Sequence, residues 1–209
     1  MPLTPTHFPT TPRLPADSAL RSRLQTGDLL LCSGSSIFSE LIQQATHSLW
    51  SHVALIVRLD DLDRILLFES VESHGVRAVA LSRYLRDYDQ PGSPYPGGLA
   101  VVRHRTFARD CTPQNIGRML QFAVDQFGNA YDRQQIVRIA ARLVGNALPA
   151  SSSHPKEAQP REFICSEYVA ACYAQAGVDL PVGACGYVTP GDFANPQWVK
   201  LVGVLQPPP

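Results

Sequence analysis

Apolar positions in this chain fall into short unbroken runs and into stripes at helical spacing, and the two kinds alternate. After a Thr26-Gly27-Asp28 turn, Leu29 to Cys32 is an apolar run that predicts a buried strand. Upstream of it, Asp17 can cap a short helix through about Leu24. The Ser33-Gly34-Ser35-Ser36 loop ends in serines suited to cap a helix carrying Ile37, Leu41, Ile42 and Ala45. Trp50 to Arg58 is apolar on both faces and rich in β-branched residues, the pattern of a central strand. Leu59 to Arg64 is short and polar, and Ile65 to Glu69 resumes a strand, so the pair reads as a hairpin. Val76 to Leu81 and Leu99 to Arg103 predict two more strands, separated by a Pro/Gly-rich loop over 87–98.

The second half is mostly helical in pattern. Thr112 followed by Pro113 is a cap with proline at the first helical position. Ile116, Met119, Leu120, Ala123, Val124 and Phe127 mark the buried face of that helix, and Gly128 ends it. Asp132 with Gln135 resembles a capping box for a helix running to about Leu148. Pro149 to Glu162 has a serine run and two internal prolines and nothing to bury, so it predicts a mobile loop. Apolar residues and helix formers then run from Phe163 to Gly177, a good residue for ending a helix. Thr189-Pro190-Gly191-Asp192 reads as a local helix start, and Trp198 to Leu205 as a closing strand. Prolines at 2, 5, 9, 12 and 15 keep residues 1–16 extended. The expected organisation is therefore an extended Pro-rich segment, 1–16, and a single catalytic domain, 17–206, with its mobile loop at 149–162.

Composition narrows the class. A chain of 209 residues with 44% hydrophobic content can bury a real core. Lys plus Arg and Asp plus Glu are 18 each, so no overall field draws the chain to nucleic acid. Five cysteines with no CxxC suggest neither a zinc site nor a complete disulfide set, and reduced thiols fit a cytoplasmic protein. The N-terminus lacks the apolar stretch of a secretory signal, and no segment approaches the length of a membrane span. No metal or cofactor is implied.

Candidate chemistry centres on Cys165. It falls in the first turn of the 163–177 helix, where unpaired N–H groups and the helix dipole favour an anion and push a thiol toward thiolate. The plainer reading is core: cysteine is often buried, and Cys165, Val169, Cys172 and Ala176 recur on one helix face. Partners decide between them. His7 and His154 lie in segments expected to hold no fixed geometry, whereas His52 interrupts a strand otherwise apolar through Val57. If the hairpin turn centres between Asp60 and Asp61, His52 lies opposite Glu69 and on its face, so the carboxylate can fix the imidazole. A slip of one residue would send Glu69 to the other face. Its plainer role is the polar end of a strand.

The order GDLLL (27–31), SHVALIV (51–57), LFES (67–70), GNAYD (128–132) and ICSEYVAACY (164–173) resembles the circularly permuted branch of the NlpC-type cysteine peptidases, the YiiX-like proteins. These belong to the papain-like superfamily and are close to the lecithin:retinol acyltransferase relatives. The resemblance covers about residues 24–205. It implies an α+β papain-like fold, with an antiparallel sheet or partial barrel packed on helices and the nucleophile at a helix N-terminus. It also implies Cys165 as nucleophile, His52 as general base and Glu69 as orienting acid. Tyr131-Asp132 matches the family's YD pair, although a helix cap already explains Asp132. The implied activity is a cysteine hydrolase cleaving an amide in a small peptide or cell-wall-type fragment through an acyl-enzyme. Acyl transfer or lipid deacylation at the same site is the alternative. A third reading, a non-catalytic binding module, finds no support in a chain where all three polar positions are filled.

Overall fold

The structure is a computed structural model describing residues 20–132, 134, 162–178, 180 and 188–206. The extended segment 1–16, the cap at Asp17, the helix expected up to Leu148 and the loop at 149–161 lie outside the described residues. Among the described residues six strands form one antiparallel sheet: β1 (Asp28–Gly34), β2 (His52–Leu59), β3 (Arg64–Val71), β4 (Gly75–Ala80), β5 (Gly97–His104) and β6 (Val199–Gln206). Their spatial order is β4-β3-β2-β1-β5-β6, so β1 and β2 are interior, as their unbroken apolar runs require.

Both faces of the sheet are covered. Leu29, Leu31, Val53, Leu55, Phe68, Ala100 and Val102 point to one side, where they meet α4 (Pro113–Asp125) and α5 (Cys165–Gln175). Leu30, Cys32, Ala54, Ile56, Leu67 and Val101 point to the other, under Leu20, Leu24 and α2 (Leu81–Arg86). Adjacent residues of a strand alternate faces, so the middles of β1 and β2 must be apolar on both sides. Met119 and Ala123 are the buried positions of α4, while Val124, expected inside, is 49% exposed. The Tyr168 hydroxyl donates to the Ala123 carbonyl (2.9 Å) and locks α5 onto α4.

Two short helices were not legible in the sequence: α2, and α3 (Phe107–Asp110). Neither has a side-chain cap, and neither is long enough to display a full helical stripe. α1 (Ile37–Thr46) is capped by Ser36, whose hydroxyl accepts from the Ser39 N–H. Of its apolar residues Ile42 and Ala45 are buried and Phe38 packs half-buried against Ile42, whereas Ile37 is 89% and Leu41 42% exposed.

Candidate active site

β2 and β3 set the polar part of the site. Their register pairs Leu55 with Phe68 and Leu59 with Arg64. The turn is a four-residue one, a 3-10 turn at Asp60–Leu62 followed by Asp63 at φ +45°, so its centre lies one residue later than the sequence suggested. Continuing the register sets Glu69 level with Ala54, two positions from His52. A two-residue shift preserves the face, and the two side chains meet diagonally: His52 Nε2 and Glu69 Oε2 are 2.9 Å apart.

Glu69 is wholly buried and takes four donors. Oε2 accepts from His52 and from the Tyr84 hydroxyl (2.6 Å). Oε1 accepts from Arg77 through Nε (3.0 Å) and Nη2 (2.9 Å). Burial works to raise the carboxyl's pKa, but the hydrogen bond and charge of His52, then Tyr84 and Arg77, outweigh it and hold it below its ordinary value. Burial likewise works against a charged His52, yet hydrogen bonds to Cys165 and Glu69 and their negative charges push the ring up to about 10. With Nε2 occupied by Glu69, Nδ1 is the nitrogen left to face the Cys165 sulfur.

Cys165 is the first residue of α5, behind Ile164, which gives the helix no side-chain cap. Two contacts place this helix tip against the sheet end where β2 begins. Ser70, next to Glu69 but facing the other way, donates to the Phe163 carbonyl (2.7 Å). Phe163 N–H donates to the Ala130 carbonyl (3.1 Å), which draws Tyr131 in beside the site. The Ala130 segment is itself docked on β4, where Val76 N–H donates to the Asn129 carbonyl (2.9 Å). Gly75 permits this approach: it sits at φ +66°, and a Cβ there would lie 2.1 Å from the Asn129 oxygen.

Cys32 lies directly across the sheet from His52. Burial first, then the charges of Glu69 and Cys165, push its thiol well above the ordinary value, so it stays protonated. Tyr131 is likewise held neutral, by burial and then by Cys165.

Two spaces flank the site, and Ile42 of α1 borders both. On the sulfur side is a shallow apolar groove, open to solvent, walled by Leu41, Ile42, Ala45, Ile164, Val188 and Pro190. On the imidazole side a roomier cleft is bordered by His52, Tyr84, Tyr88, Tyr95 and Tyr131 with several serines. Gly191 keeps the 188–190 wall in place, since a Cβ there would lie 2.7 Å from the Ser48 hydroxyl.

Comparison with known proteins gives this arrangement a context. Residues 23–201 match the family model described as permuted papain-like amidase enzyme, YaeF/YiiX, C92 family. The chain belongs to this family. Its described residues have the α+β fold that the resemblance implied. Among curated relatives, the probable lipoprotein peptidase YaeF of Escherichia coli K12 is 24% identical over 191 residues, 82% of this chain and 63% of YaeF. Among solved structures, the metalloprotein YiiX of Escherichia coli O157:H7 superposes with a TM-score of 0.56 at 19% identity, covering 85% of this chain and 95% of that one. Among the described residues here, no group of three or more His, Cys, Asp or Glu side chains is placed to hold a metal ion. No described helix is long and apolar enough to cross a membrane.

The structure of this YaeF/YiiX-family chain thus brings together the three residues singled out in the sequence, Cys165, His52 and Glu69. Sequence reasoning missed Arg77 and Tyr84. Arg77 is the direct cross-strand partner of Glu69, and the Val71–Gly75 turn would have revealed it had the β3–β4 hairpin been registered. Tyr84 follows from Leu81 and Leu85 at helical spacing, a signal too brief to stand alone.

Proposed function

We propose that the chain is a thiol amidase in which Cys165 is the nucleophile, His52 the proton carrier and Glu69 the group that orients the ring. The single observation behind this is the imidazole held between two partners: a 2.9 Å bond to a buried carboxylate on one nitrogen, and the sulfur of the first residue of a helix on the other side. The Cys165 thiolate attacks the amide carbon, forming the C–S bond while the carbonyl π electrons move to oxygen. The Cys165 backbone N–H, at the start of α5 where no side chain caps the helix, donates to that oxyanion. Collapse breaks the C–N bond as the His52 imidazolium gives its proton to the departing amine. Water then attacks the thioester carbon as neutral His52 takes its proton, and collapse breaks the C–S bond, releasing the carboxylic acid and restoring the Cys165 thiolate beside the His52 imidazolium.

The flanking spaces support a division of the substrate into two halves. The apolar groove beside Cys165 suits an acyl group with a hydrophobic side chain or tail. The tyrosine-lined space beside His52 suits the leaving amine, because that is where the proton is delivered. The name of the relative YaeF and the family description both favour a peptide-type amide. The same groove supports a second reading, deacylation or acyl transfer from a lipid, and paired incubations with acyl-peptide amides and phospholipid separate the two by product.

The defining test is alkylation. Iodoacetamide at about pH 6 is expected to modify Cys165 far faster than the denatured chain, and His52→Ala should abolish the difference. Equal rates for folded and unfolded protein, or indifference to His52→Ala, would sink the reading.

A further inference from the structure

Nothing in the three-residue reading requires a helix after β4 or an arginine on it, yet both converge on the buried acid. Arg77 projects from β4 directly across from Glu69, and Tyr84 from α2 seven residues later. Together they fill the carboxylate's remaining lone pairs, Arg77 with two nitrogens on Oε1 and Tyr84 on the oxygen that also holds His52. Each adds something the imidazole cannot. A carboxylate bonded only to the ring could rotate, or take a proton when the ring is neutral. One gripped on its other oxygen by a guanidinium keeps both its charge and its rotamer.

Tyr84 is itself fixed: its ring stacks on Tyr95 at 5.2 Å and meets Tyr88 edge-on at 4.8 Å. Burial, then the Glu69 charge, keeps its hydroxyl protonated, so it acts only as a donor. Apart from the Cys165 sulfur, the other titratable groups that share Glu69's surroundings among the described residues stay neutral. Cys32 from β1 and Tyr88 and Tyr95 beyond α2 are all pushed up, chiefly by burial.

We propose that Arg77 and Tyr84 are positioning residues which, through Glu69, hold the His52 ring toward Cys165 and set how far into acid the site keeps working. This rests on the Cys165–His52–Glu69 reading above. Neither residue touches the reacting atoms. As pH falls, the site fails when Glu69 takes a proton and lets go of the ring; donors bound to the charged carboxylate delay that event.

The test uses the full chain, with the rate of iodoacetamide alkylation at Cys165 followed across the acid range for wild type, Tyr84→Phe, Arg77→Met and Arg77→Lys. The acid edge of the profile is expected to move up by about one pH unit in Arg77→Met and by less in Tyr84→Phe. Arg77→Lys, which keeps the charge but not the fork, should recover part of the shift. Edges that coincide with wild type, or a uniform loss of rate without a shift, would overturn the proposal. If Arg77→Met fails to fold, Tyr84→Phe decides alone, because it keeps the stacked ring. A wild-type chain without enhanced alkylation would instead refute the underlying site, a distinguishable failure.

Discussion

Ser70 donates a 2.7 Å hydrogen bond to the carbonyl of Phe163, two residues before Cys165. Its neighbour Glu69 points to the opposite face of the same strand and holds His52. One dipeptide of β3 therefore ties the sheet's polar pair to the helix that carries the sulfur. Ser70→Ala should cost about 1–3 kcal/mol, since it leaves a buried carbonyl without this donor. Alkylation of Cys165 should slow as well. Urea denaturation checks the first expectation and the labelling rate the second.

Glu69→Gln keeps the shape of the side chain and removes its charge. The His52 ring then loses one of the two partners that raise it to about 10, so the alkaline edge of amide turnover, which needs the imidazolium proton, should fall toward neutral pH. Turnover of an acyl-peptide amide should drop by about 10²-fold or more, as expected when an orienting carboxylate is neutralised. A profile matching wild type would show that the carboxylate does not act on the ring.

The same shifts fix the pH dependence of stability. His52 is raised from 6.5 in the folded state, so its stabilising contribution is complete below about 6.5 and disappears as pH rises through about 10. Glu69 is lowered, so its contribution is present above the ordinary carboxyl value of 4.5 and is lost as pH falls through its folded value. Melting temperatures should plateau between these limits. The gap between wild type and His52→Ala should narrow from about pH 6.5 upward and close near pH 10.

Ala45 lies in the wall of the apolar groove beside Cys165. Ala45→Phe should fill part of that space and favour short acyl groups over long ones, mainly through KM. Overpacking there should cost about 1–3 kcal/mol. Amide substrates of graded acyl length measure the change, and an unaltered length preference would remove the groove from the acyl-binding role.

The sequence made the interior of the sheet readable because the middles of β1 and β2 are buried on both faces and must be apolar without interruption. His52 stood out against that background for the same reason. Glu69 was placed on the correct face despite a two-residue error in register, since a strand repeats every two residues. A turn closed by Asp63 in the left-handed region could not be inferred from Asp60-Asp61-Leu62-Asp63 alone. Arg77 and Tyr84 were hidden because each needs a second piece of geometry, the β3–β4 register for one and a six-residue helix without a side-chain cap for the other. The outward turn of Ile37 and Leu41 was equally invisible. α1 covers the site along one narrow edge, and an apolar stripe does not reveal how much of it will be used.

The order in which the groups occur along the chain has a consequence for synthesis. The ring, the acid and the acid's two supports all lie between residues 52 and 84, whereas the sulfur arrives at 165. A ribosome therefore releases every proton-handling part of the site before Cys165 exists, and the growing chain carries no assembled reactive centre until residue 165 has been added.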